Sequence, residues 1–200
     1  TARLGGRFNV ENCACAIAIA LGLGIEPERV AKALNAARPA PGRFEAAPND
    51  AGISILIDYA HTPDALEKLL DAVRELEPRR VVTVFGCGGD RDATKRPLMA
   101  RAASQRSDLT ILTSDNPRTE DPAAILAQVA AGIEPGSESL SIIDRREAVA
   151  KAIAWAEPGD IVVIAGKGHE NYQIIGREKF HLDDRELVQD ALRARAGAPR

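Results

Sequence analysis

The 200 residues carry 45% apolar and 28% charged side chains with a formal net charge of −3, a balance suited to one sizeable core or one domain with part of another. Without a basic excess there is no electrostatic footprint for nucleic acid. The longest uncharged apolar stretch, "CACAIAIALGLGI", is too short and too rich in small residues to span a bilayer, so it reads as a buried helix.

In chain order, the opening "TARLGGRFNV" has neither an initiator Met nor an apolar signal region, which suggests a piece cut from a longer cytoplasmic protein. "VENCACAIAIALGLGI" and "EPERVAKALNAARPA" read as two helices joined at a glycine, with Pro27 early in the second. Residues 1–42 are therefore expected to be the helical tail of a preceding domain, and 43–52, within "RPAPGRFEAAPND", a hinge or linker. Cys13, Cys15 and Cys87 are odd in number and lack metal-ligand spacing, so reduced, buried thiols are expected and no metal site.

From residue 53 to 195 the pattern changes. "ISILIDYA", "RRVVTVFG", "LTILTS", "LSIID" and "DIVVIAG" alternate with the helical stretches "TPDALEKLLDAVREL", "RPLMARAASQRS", "PAAILAQVAAGI" and "RREAVAKAIAWA". Continuous apolar strands separated by amphipathic helices predict a doubly wound, mostly parallel, Rossmann-like α/β sheet covered on both faces. "NYQIIGREKFHL" predicts a hairpin giving that sheet an antiparallel edge strand. "DDRELVQDALRARAG" predicts a last helix capped by Asp183 or Asp184, before a disordered tail over 196–200.

The candidate chemistry follows the strands, where an α/β sheet binds its ligands. In "DYAHTPDAL", Thr62 and Pro63 serve as helix cap and first turn, which leaves Asp58 unexplained at the end of an apolar strand. "FGCGGDRD" has three glycines in four residues, a turn that a ligand can approach closely. It is not a dinucleotide fingerprint, because the third glycine is missing and the next helix is expected only near Pro97. Asp90, Arg91, Asp92, Lys95 and Arg96 behind it suggest a charged ligand. In "SDNPRTEDP", Asp115 and Asn116 suit a turn, Asp121 a cap and Pro122 a helix start, but Arg118 serves none of these. A guanidinium fork there suits two-point recognition of a carboxylate. "AGKGHENYQ" adds Lys167, His169 and Glu170; His169 reads as structural, and Glu170 suits a substrate ammonium. Forks and carboxylates converging on one sheet edge suit a zwitterion, an amino acid.

"GRFNVEN", "GRFE", "DYAHTPDAL", "VFGCGGDRDATKRPLM", "DNPRTEDP" and "AGKGHENYQ", in this order over essentially the whole chain, resemble the Mur ligases of peptidoglycan synthesis. "DNPR" resembles the form in the branch that adds meso-2,6-diaminopimelate to UDP-N-acetylmuramoyl-L-alanyl-D-glutamate; relatives adding L-lysine depart from it. The resemblance implies a C-terminal amino-acid-binding domain working with an ATPase domain and a UDP-substrate domain. ATP and Mg²⁺ turn the acceptor carboxylate into an acyl phosphate, and the incoming amine displaces phosphate. It implies Arg91, Asp115, Asn116, Pro117, Arg118, Gly166 and Glu170 around diaminopimelate, with Arg118 on the distal carboxylate that lysine lacks. On the ATP side it implies Asn9, Asn12, Arg43 near the hinge, and Asp58.

No G-x-x-x-x-G-K-[ST] phosphate loop occurs in these residues. The loop, the Mg²⁺ ligands and most contacts to the UDP substrate are expected elsewhere in the protein, and the piece alone, a monomer, is expected not to turn over. Competing readings are an L-lysine-adding or folylpolyglutamate-type ligase of the same superfamily, against which "DNPR" speaks. A non-catalytic amino-acid- or nucleotide-binding module is another, but it would have no use for the "PGRFE" hinge.

Overall fold

The β-branched runs become strands because their side chains fill both faces of one sheet. A computed structural model describes residues 6–197. Its strands are β1 (Glu45–Ala46), β2 (Ser54–Asp58), β3 (Val81–Cys87), β4 (Leu109–Ser114), β5 (Ser139–Ser141), β6 (Ile161–Ala165), β7 (Tyr172–Ile175) and β8 (Glu178–His181). The helices are α1 (Arg7–Gly22), α2 (Pro27–Ala36), α3 (Pro63–Arg74), α4 (Lys95–Ser104), α5 (Pro122–Ala130), α6 (Arg145–Trp155) and α7 (Asp184–Gly197).

The main sheet has the order β1-β2-β6-β3-β4-β5 and is parallel from β2 to β5. Every residue of β3, β4 and β6 is buried, as strands covered on both faces require. One face packs on α3, α4 and α5 through Leu66, Leu70, Val73, Met99, Ala103 and Ile125. The other packs on α6 and α7 through Val149, Ile153, Leu187 and Val188. Thr62 and Asp121 cap α3 and α5 as expected, Asp144 accepts backbone N–H groups of α6, and Asp183 accepts from Arg185 N at the start of α7. The strand order brings the carboxyl ends of β2, β3, β4 and β6 to one rim.

Several expectations are corrected. The antiparallel edge strand is β1, paired with β2, not the hairpin. Residues 43–52 thus supply a strand, and Phe44, only 5% exposed, joins the core. The hairpin β7–β8 forms a separate two-stranded sheet, because it docks on the loop after β4 through an Arg118–Ile175 bridge. The apolar side chains of α1 are not buried: Val10, Ile19 and Leu21 are 67%, 65% and 45% exposed, since α1 packs chiefly on α2. For the same reason Cys15 is exposed and Cys13 half-buried, leaving Cys87 as the buried thiol. Finally, Ala196 and Gly197 complete α7 rather than a tail, and α4 starts at Lys95, two residues before Pro97. Residues 198–200 of the expected tail and 1–5 of the expected helical segment lie outside the described residues.

Candidate functional site

Three turns at the rim interlock. Gly89 N donates to the Asn116 carbonyl at 2.9 Å, and Arg118 Nη1 donates to the Gly89 carbonyl at 2.7 Å. Gly89 has to be glycine: a Cβ there would stand 1.9 Å from the Pro117 carbonyl oxygen. Beneath this contact lies Arg96, 1% exposed, which holds both oxygens of Glu120 at 2.9 Å and donates to the Gly88 carbonyl. Glu120 in turn accepts from Asp90 N. The side-chain hydrogen bonds to Arg96 hold the Glu120 carboxyl below its usual range. The charges behind the glycine-rich turn therefore divide. Arg96 braces the loop, Asp92 accepts from Thr94, and Lys95 reaches the His61 carbonyl. Arg91 stays exposed, donating through Nη1 to the neighbouring Asp90 carbonyl.

Arg118 is fixed by its backbone as well. Its φ is 54°, an unusual left-handed value for a residue with a side chain. The strain is stabilised by its N–H donating to Ile174 O at 3.0 Å and its carbonyl accepting from Gly176 N at 2.7 Å. Among the described residues the guanidinium spends only Nη1 on protein acceptors. The Nε–Nη2 edge is left for a planar two-oxygen partner, the geometry at which arginine excels.

Next to it, Asn116 is 3% exposed. Its Nδ2 donates to Glu170 Oε2 at 3.0 Å, and its Oδ1 accepts from Ile174 N at 2.9 Å and Lys167 Nζ at 3.3 Å. Lys167 Nζ also stands 3.5 Å from Glu170 Oε2. Burial pushes the Lys167 ammonium below the usual lysine value, with Asp115 pulling the other way. Asp115 offers its carbonyl to Gln173, and its Oδ2 faces Gly166, where a Cβ would lie 3.2 Å away. Pro117 is buried between these groups. Arg145 and Asp184, both fully buried, form a two-point pair at 2.7 and 2.8 Å below the turn, with Arg145 also donating to the Ala165 carbonyl.

All seven residues expected around the amino acid thus sit at this rim: Arg91 and Arg118 flank Gly88, and Asp115, Asn116, Gly166 and Glu170 meet around Lys167. The sequence reading left Lys167 without a role and missed the Arg145–Asp184 pair; a lysine between two glycines after a buried strand was the one available signal for the former.

The residues expected on the ATP side also come together. Asn9, Asn12, Arg43 and Asp58 line one cavity of about 500 Å³, with Arg38, Pro39, Ala40, Ala65, Lys68 and Leu69. Two amides and three cations in that volume fit an anionic, nucleotide-sized ligand. Arg43 lies over the Tyr59 ring at 4.7 Å. Asp58 has a second task that the sequence did not disclose: its two oxygens accept from Phe44 N and Ala60 N, both at 2.7 Å. Burial pushes its carboxyl above the ordinary aspartate value, against those two N–H donors and Arg43. Gly42 lies against the third turn, where a Cβ would meet Gly168 C at 2.1 Å. For magnesium the fit is absent: among the described residues no group of three or more His, Cys, Asp or Glu could hold a metal ion. No described helix is long and apolar enough to cross a membrane.

The family model "Mur ligase, glutamate ligase domain" matches residues 42–168. The UDP-N-acetylmuramoyl-L-alanyl-D-glutamate–2,6-diaminopimelate ligase of Gloeobacter violaceus is 50% identical over 98% of this chain and 40% of its own length. That of Synechocystis sp. is 53% identical over 94% of this chain and 38% of its own length. A solved structure of a ligase of the same name superposes with a TM-score of 0.78 at 43% identity, covering 99% of this chain and 41% of that one. The chain thus spans about 40% of the length of the curated relatives it matches. It belongs to the Mur ligase family.

Proposed function

We propose that this chain is the amino-acid-binding part of an ATP-dependent ligase that joins meso-2,6-diaminopimelate to UDP-N-acetylmuramoyl-L-alanyl-D-glutamate in peptidoglycan synthesis in the cytoplasm. The observation that carries the reading is the free Nε–Nη2 edge of Arg118, held at a rim that also presents Glu170. Arg118 takes the distal carboxylate, Arg91 assists with carboxylate charge, and Glu170 receives the ammonium at the other end. Asp115, Asn116, Pro117 and Gly166 shape the floor between them. Asn9, Asn12, Arg43 and Asp58 face the nucleotide across the cavity.

ATP supplies activation of the acceptor carboxylate as an acyl phosphate, with magnesium held by residues outside this chain. This chain's residues orient the incoming amine, exclude water around it and grip its far end. The 1–42 and 53–195 segments act as parts of two domains, with β1 of the 43–52 segment packed on the second, and the activity belongs to the longer protein.

Selectivity follows from charge. A lysine in this site would leave the Arg118 edge desolvated and unpaired, costing about 2–5 kcal/mol. At about 1.4 kcal/mol per tenfold, that is a preference of roughly thirtyfold to a few thousandfold. In the full-length ligase, Arg118→Ala should reduce the ratio of kcat/KM for meso-diaminopimelate over L-lysine by that factor. An unchanged ratio contradicts the assignment.

A further inference from the structure

We propose that Lys167 is a positioning residue of the amino-acid site: its buried ammonium, 3.3 Å from Asn116 Oδ1 and 3.5 Å from Glu170 Oε2, fixes the facing of the amide and the stance of the carboxylate. The inference rests on the reading of this rim as an amino-acid site and deepens it.

An asparagine amide has two nearly identical ends, and only its partners decide which way it points. Around Asn116 those partners are unambiguous. An ammonium and the Ile174 N–H donate to Oδ1, while a carboxylate accepts from Nδ2. Reversal would put two donors against the NH₂ group and an oxygen against Glu170. Lys167 thus does two things at one place, locking the amide and drawing Glu170 to it. The same amide holds Ile174, so the lock extends to the hairpin β7–β8, which carries the backbone of Arg118 through Ile174 O and Gly176 N.

The charge around Lys167 supports this role. Among the charges that act on it most, Asp115, Glu170 and Asp184 favour its ammonium and Arg145 opposes it. A fully buried lysine is costly to keep charged, and here burial already weakens its hold on the proton. A hydrocarbon of the same length would fill the space without that cost. The ammonium contributes the two contacts that orient the site.

The test uses the full-length ligase containing this chain. Lys167→Met should raise the KM for diaminopimelate by about tenfold or more, as a misplaced binding group does, with the KM for ATP within about twofold of wild type. Placed on Glu170→Gln, the same substitution should add less than its full effect, since one of its two contacts is gone. Backbone hydrogen exchange over residues 172–176 should accelerate relative to β3 and β6. An unchanged KM, a rise shared equally by ATP, or a full additional effect on Glu170→Gln overturns the proposal. If wild-type enzyme does not consume diaminopimelate, the functional reading falls, and the exchange measurement alone decides the inference: unaltered exchange over 172–176 overturns it. Should Lys167→Met not fold, Lys167→Gln is read by the same criteria.

Discussion

At the rim where β2, β3, β4 and β6 end, each turn is tied to another turn, whereas α1, which lends Asn9 and Asn12 to the cavity, keeps much of its apolar surface in solvent. Gly89 bonds to Asn116, Arg118 to Gly89, and Asn116 to Glu170 and Ile174. On α1, by contrast, Val10 is 67% and Ile19 65% exposed. Backbone and charge-assisted hydrogen bonds pre-organise the first region without help, which lowers the ordering cost when a ligand arrives. The second region has its chemistry in one place but not its packing. Between them runs a seam, where Gly42 abuts Gly168 and Asp58 holds Phe44. On the proposed function, specificity belongs to the stiff side.

The most damaging way to disturb the stiff side is Gly89→Ala. The new Cβ would need the space 1.9 Å from the Pro117 carbonyl, so the loop carrying Arg118 has to move. A stability loss of about 3 kcal/mol is expected from the overpacking, read from denaturant unfolding, together with loss of discrimination between diaminopimelate and lysine in the full-length ligase. Wild-type stability and discrimination would mean that the turns are not interlocked.

At the seam, Asp58→Asn replaces two acceptors with one. One of the Phe44 and Ala60 N–H groups then faces an NH₂, at a cost of about 1–3 kcal/mol. The pH dependence has a definite sign. The folded Asp58 carboxyl is raised above its ordinary 3.8, so its contribution is fully present below that value and is lost as pH rises through the raised value. The deficit of the variant relative to wild type should therefore shrink between acid and neutral pH, as measured by paired unfolding curves. A deficit that grows with pH contradicts the burial argument.

The smallest effect is expected at α1. Burial pushes the Cys87 thiol up to about 11, while Cys15 is exposed, and only a thiolate is reactive. Brief alkylation near neutral pH should label Cys15 before Cys87, with no change in unfolding midpoint. Early labelling of Cys87, read by peptide mass spectrometry, would show that the core around β3 opens.

Much of this was legible in the sequence, for reasons particular to each element. Runs such as "VVTVF" announce strands because a covered parallel sheet tolerates little else. Thr62, Asp121 and Asp183 announce helix starts because their oxygens are needed there. Arg118 stood out because no turn device uses it. The partners of buried charges were not legible: Arg96 finds Glu120 24 positions away, Arg145 finds Asp184 39 away, and Lys167 finds Asn116 51 away. No local period encodes such pairings. The antiparallel edge was misassigned because "FEAA" and "YQII" are both short extended segments, and only docking decides which one joins the main sheet. Exposure of α1 was missed because an apolar helix shows its composition, not whether a partner covers it.

The most direct measurement is a crystal structure of the full-length ligase with meso-diaminopimelate bound. The account predicts the distal carboxylate on the Nε–Nη2 edge of Arg118 at about 2.7–2.9 Å, in two parallel bonds, with the ammonium at the other end beside Glu170. A distal carboxylate bound elsewhere, with that edge turned to solvent, contradicts it.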